Sequence, residues 1–210
     1  MKRSIIAILF VLFLGTSVFA QYAAQLSPAG CVLKGSSKGG GYVGIYDGAF
    51  GVLGQYRIGI GGYSDLGFKA GIIDLESNSG KGDIGISLGV DTKYQVMEVR
   101  IMDPVDLSIA GVFELVKFNH FSNLSIGGAV IGSYPVELKN GRQLNPYGRL
   151  LLGFERSNQS WAGSGGSSTD FNLTLNMGCT LELSGNTEAM AEIQIDSDVA
   201  ALVMGLSFGL

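Results

Sequence analysis

Beyond residue 41, apolar and polar residues alternate along most of the chain with a period of two. Over 170–183, Phe171, Leu173, Leu175, Met177, Cys179, Leu181 and Leu183 take every second position. Asp170, Asn172, Thr174, Asn176, Gly178, Thr180 and Glu182 take the others. Successive side chains of a strand point to opposite faces, so this pattern makes β-structure with one apolar and one polar face, and it has no helical spacing. The stretch 83–96 repeats it, with Ile84, Ile86, Leu88, Val90, Tyr94 and Val96 set against Asp83, Gly85, Ser87, Gly89, Asp91, Lys93 and Gln95. Weaker copies fill the remainder. They predict about ten strands, at 41–47, 51–62, 65–75, 82–97, 105–118, 122–137, 143–157, 168–184, 187–196 and 200–210. Eight strands are also compatible, because alternation is weak in the Gly-rich stretch 39–54. Turn signals separate the strands: Ser184-Gly185-Asn186, the Asn-Gly dipeptide Asn140-Gly141, and the polar run 77–82.

The first twenty residues follow a different rule. Lys2 and Arg3 form a basic start, residues 5–14 are an unbroken apolar run, and Val18-Phe19-Ala20 ends on small residues. That is the three-part pattern of a secretory signal peptide. Ten apolar residues reach only ~15 Å as a helix, half of a bilayer core, so a membrane anchor does not fit. The expected organisation is a cleaved signal peptide at 1–20, a short periplasmic N-terminal segment at 21–40 and a β-domain at 41–210.

Composition decides what the alternation is for. Hydrophobic residues make up 46% and charged residues 15%, against about 25% charged in an average soluble domain. A soluble sandwich would turn a Lys- and Glu-rich face to water, whereas a barrel in a bilayer turns its apolar face outward to lipid. No later run reaches 18 apolar residues, so any span must be made of strands. The expected fold is all-β: an antiparallel up-and-down transmembrane β-barrel of about ten strands. An even count puts both ends on one side, which assembly from the periplasm makes the periplasmic side. The 157–168 connection, rich in Ser and Gly and carrying Trp161, then faces outward. Net charge is −4, which argues against nucleic acid as a partner. Two Cys, Cys31 and Cys179, and one His are too few for a cysteine scaffold or a zinc cluster, and no cofactor or metal is expected.

With its signal peptide, the strand opening Asn145-Pro146-Tyr147-Gly148-Arg149 and the last strand 202–210, the chain resembles the small outer-membrane β-barrel proteins of diderm bacteria. The resemblance covers about 41–210 and points to no single member. Family barrels commonly finish on an aromatic residue, whereas this chain finishes Phe208-Gly209-Leu210. The resemblance implies residence in the bacterial outer membrane, contact with its lipid, and the barrel assembly machinery as a partner during biogenesis. It names no specific protein partner.

Strand parity turns Arg57, Lys69, Lys93, Arg149, Asp91, Glu114, Glu182 and Glu192 inward. Charges inside a narrow barrel must be paired or hydrated. Two readings follow: a salt-bridged filling, or a small pore narrowed by charge and lined with acid. Either gives a structural or passive small-solute role. A second role, as a surface interaction or adhesion module, would use the 157–168 loop. A third is an enzyme: His120-Phe121-Ser122-Asn123 is similar to the His-x-Ser-Asn motif of the outer-membrane lipid A deacylases, which implies His120 as base and Ser122 as nucleophile. The family's following Asn-Pro-Gly-x-Glu stretch has no counterpart, since 127–132 reads as ordinary strand, and Glu137 lies ~50 Å of extended chain beyond Ser122. The expectation is therefore that the protein is not an enzyme. Phe118, Phe121, Tyr134, Phe154 and Phe171, near strand ends, are expected as interfacial girdle residues.

Overall fold

In the computed structural model the described residues are 26–75, 83–99, 103–161, 164–196 and 200–210. The signal peptide and the 77–82 run lie outside them. The chain folds into β1 (Ser37–Tyr46), β2 (Ala49–Gly59), β3 (Ser64–Leu75), β4 (Asp83–Met97), β5 (Asp106–Lys117), β6 (Phe121–Ser133), β7 (Val136–Glu137), β8 (Gln143–Trp161), β9 (Ser164–Ser184), β10 (Thr187–Ile195) and β11 (Ala200–Gly209). Strands β1 to β6 pair antiparallel in succession, as do β7 to β11; β6 pairs directly with β8, and β11 returns to pair with β1. The result is a closed barrel of ten strands, with β7 a two-residue ladder against the start of β8. Closure removes free sheet edges wherever a strand is paired on both sides, and there the backbone is satisfied internally.

Burial is inverted relative to a soluble protein. Val90, Ile126, Phe154, Leu173 and Met204 are exposed on the outer face, while Arg57, Asp91, Lys93, Arg149, Asn176 and Glu192 are buried within. This follows from the period-two pattern, because one face of every strand must point into the barrel. The interior is not wholly polar. Leu26, Tyr42, Leu53, Met190 and Val203 form one apolar cluster, and Ile73, Val116 and Phe118 form another.

Four local departures from the sequence expectation have physical causes. β1 starts at Ser37, not at 41. Its glycines gave no alternation to read, but Gly40 and Gly44 are where the rings of Tyr42 and Tyr46 lie, and a Cβ at either would fall 2.5 Å from the tyrosine hydroxyl. The strand expected over 122–137 ends at Ser133, because Pro135 has no N–H to give a ladder, and resumes only as β7. The expected loop at 157–168 is instead a hairpin: β8 and β9 stay in register up to Trp161 opposite Ser164. Its Ser, Asn and Gly residues carry the composition of a loop, but a ladder already running on both strands continues through them. Finally, Phe118 and Phe121 are not girdle residues. Phe118 is buried against Ile73 and Val116, with Phe121 packed on the same cluster at 6.2 Å between ring centroids. Phe154 and Phe171 do face outward, in an edge-on pair at 5.7 Å.

Candidate functional site

The interior holds three layers of polar side chains. In the layer nearest the chain ends, Arg57 on β2 lies between two carboxylates, hydrogen-bonded to Asp65 on β3 and 2.8 Å from Asp91 on β4. Lys93, on the same face of β4 as Asp91, adds a second cation 3.6 Å from Asp65. Gly67 makes this cluster possible, since a Cβ there would lie 2.5 Å from Asp91 Oδ2 and 2.6 Å from Arg57 Nη1.

In the middle layer, Arg149 Nη2 on β8 donates to Glu192 Oε1 on β10 at 2.6 Å, and Tyr147 Oη donates to Glu192 Oε2 at 2.6 Å. Gln194 Nε2 also donates to Oε1, at 2.8 Å. With its amide oxygen turned towards Arg149, as the hydrogen-bond network favours, Asn176 accepts from Nη2 at 2.7 Å and Nε at 3.0 Å. Lys69 and Glu114 are buried on neighbouring walls, and Ser87 Oγ reaches Glu114 at 3.5 Å. The far layer joins Asn123 to Glu155, and Asn172 to both Glu155 and Asp196. A cavity of about 50 Å³ borders it, lined by Glu114, Glu155, Asn172 and Gln194 with Val112 and Leu151.

The mouth nearest the chain ends is crossed by the chain itself. Leu26 sits in the apolar cluster with Leu53 and Val203, and exchanges two backbone hydrogen bonds with the Gln55 amide at 3.2 and 3.1 Å. Ala29, fully buried, donates to Ser133 Oγ at 3.2 Å and accepts from Ser108 Oγ at 2.6 Å. Cys31 N donates to Gln95 Oε1 at 3.1 Å, and Val32 N to Asp65 Oδ2 at 2.9 Å. Lys93 Nζ donates to the carbonyls of Pro28 and Gly30 at 2.8 and 2.6 Å and to Ser27 Oγ at 2.9 Å. Side chains from five consecutive strands thus hold residues 26–32 across the opening. Two cavities, of about 230 and 350 Å³, flank the segment. Cys31 and Cys179 are both free thiols. Desolvation pushes the Cys31 thiol above its ordinary value of 9.0, more than the nearby Lys93 ammonium pulls it down.

Of the charges that parity turned inward, Arg57, Lys69, Lys93, Arg149, Asp91, Glu114 and Glu192 are buried in the interior. Glu182 is not among them: it lies half-buried at the rim, accepting from Gln143 N at 3.4 Å, because its strand has reached the end of the barrel. At the same rim Lys38 and Glu188 pair at 2.5 Å. His120 lies exposed in the short connection between β5 and β6, and Ser122 lies in β6 opposite Lys117 and Asn158. Glu137 pairs with Gln143 at the opposite end of the barrel. The backbone of Trp161 ends β8. What single-strand reading missed was the set Gln55, Asp65, Gln95, Ser108 and Ser133. Gln95 stands on the polar face of its strand in the 83–96 pattern, but nothing in a strand pattern reveals that a preceding segment returns to meet these residues.

No family model matches the chain, and a search of curated proteins returns no match. Solved structures with a similar course include the N-terminal β-barrel domain of Pseudomonas aeruginosa OprF, at 12% identity and a TM-score of 0.41 over 84% of this chain and 98% of that one. An outer membrane channel from Pseudomonas putida F1 matches at 9% identity and 0.44, over 90% and 100%. The KdgM porin matches at 11% and 0.41, over 81% and 98%.

Proposed function

We propose that the protein resides in the bacterial outer membrane and offers a narrow passive path for small solutes, its interior constricted by charged side chains. The observation that carries this reading is the inverted burial: an apolar outer face around a closed barrel that buries Arg57, Lys69, Asp91, Lys93, Glu114, Arg149 and Glu192 within it. An apolar belt of this kind needs lipid, and paired charges inside are more readily hydrated than an apolar core. The secretory pattern of 1–20 supplies the route to that membrane. Lipid is the standing partner in this reading and the assembly machinery a transient one, with no enzyme activity.

The test has two stages. Outer-membrane fractions are run in detergent gels unboiled and boiled, and the purified protein is then inserted into planar bilayers. A band that shifts on boiling, followed by small ohmic conductance steps, supports the reading. A soluble periplasmic protein without the shift ends it.

A second reading, as a surface interaction module, draws on the β8–β9 hairpin. The pairing of β9 with β10 stops at Leu175 opposite Ile195, so the β9 edge from Ser164 to Thr174 has no strand partner on that side among the described residues. Such an edge can add an extended segment of another chain. Loss of surface binding on shortening the hairpin, with the barrel intact, would favour it.

A further inference from the structure

We infer that residues 26–32 are a tethered blocker, seated reversibly in a site at the barrel mouth that recognises extended polypeptide backbone. The inference rests on the passive-path reading for its consequence but not for its existence.

The site reads chiefly backbone, with the Ser27 hydroxyl and the Cys31 thiol as its side-chain hydrogen bonds. Gln55, Asp65, Lys93, Gln95, Ser108 and Ser133 all direct their polar atoms at N–H or C=O groups of the segment. Only Leu26 and Ala29 are buried by side chain. The segment has no strand ladder of its own across the mouth and no disulfide to the wall. Apart from the burial of Leu26 and Ala29 and the part-burial of Cys31, the contacts are hydrogen bonds that water can replace.

The tether is built for movement as well. Leu33 is 70% exposed, and Gly35, at φ +83°, reverses the chain between the segment and β1. The connection rests on the wall through the Lys34–Gly59 bridge, where Gly59 allows Leu33 O to approach to a point 2.0 Å from where a Cβ would stand. The flanking cavities leave the segment room to shift. Once it leaves, the mouth exposes one ammonium, two amides, two hydroxyls and a carboxylate, a donor-rich set matched to a peptide backbone.

The test uses the whole chain with Ala29→Phe, which leaves the wall untouched but cannot refill the fully buried Ala29 position. A second variant lacks 26–32. Each is first checked for the boiling shift. A synthetic fluorescent peptide of residues 26–32 is then added, and anisotropy and bilayer conductance are read together. The expected result is peptide binding by both variants and not by the parent, with higher conductance in the variants that the peptide returns to the parental level. Lys93→Met introduced into the deletion variant should weaken peptide binding about tenfold, the scale of a lost charge-assisted hydrogen bond. Folded variants that bind no peptide overturn the inference. Peptide binding without any conductance in any form supports the seat and overturns the passive-path reading instead.

Discussion

Arg149 on β8 and Glu192 on β10 meet at 2.6 Å across the intervening β9, both fully buried. On β9, Asn176 lies opposite Arg149, and Gly178 stands between Tyr147 and Glu192: a Cβ there would lie 2.7 Å from the Tyr147 ring carbon that carries the hydroxyl and 2.8 Å from Ala191 O. The glycine lets Tyr147 cross to the same carboxylate. Breaking a buried pair by removing one partner leaves an uncompensated charge and costs about 3–5 kcal/mol. Arg149→Ala and Glu192→Gln should therefore each lower urea resistance in detergent by that order. The double change Arg149→Met with Glu192→Met should cost much less than the two singles together. A double change as costly as the sum would mean the pair is not coupled.

Gly178→Val should weaken the hold on Glu192 without removing a charge. Its side chain would displace the Tyr147 ring and, with it, the hydrogen bond to Glu192 Oε2. The measurement is the temperature of the boiling shift, expected to fall with Gly178→Val and to stay near the parental value with Gly166→Val, where nothing lies within 4 Å of the added atom.

The outer face gives a test of the lipid reading. Val90 lies midway along β4 and is exposed; Ile84 lies near the strand's start and is exposed too. In a bilayer an outward Arg costs about 2–4 kcal/mol at the midplane and about 0–1 near the interface. Val90→Arg should thus lower folding stability in lipid vesicles far more than Ile84→Arg. Equal small effects would place the apolar face in water or against another protein.

Most of this architecture was legible from period-two alternation alone, as the seven apolar positions of 171–183 and the buried column of Arg57, Lys93 and Arg149 illustrate. The rest failed for specific reasons. Alternation cannot register strands made of glycine, so the first four residues of β1 went unread. Ser and Asn runs look like loops until a neighbouring strand supplies the ladder, which hid the hairpin. A strand pattern also carries no information about residues before the barrel, and residues 26–32 complete the polar site from outside the pattern altogether.

That segment also makes a pH prediction. Burial raises the Cys31 thiol above its ordinary value of 9.0, so the folded state prefers the neutral form. A group whose folded pKa is raised contributes stability that is complete below the unfolded value and is lost as pH climbs through the folded one. The part of the seat's stability that comes from Cys31 should therefore be lost only above about pH 9. Since the thiolate is the reactive species, Cys31 should also alkylate more slowly than a free cysteine at pH 8. In a Cys179→Ser background, maleimide labelling measures this directly. Adding Gly59→Ala, whose new Cβ would fall 2.0 Å from Leu33 O, should push the connection off the wall and speed labelling at pH 8 towards the free-cysteine rate. Labelling at the free rate in the parent would mean that Cys31 is not held in the mouth.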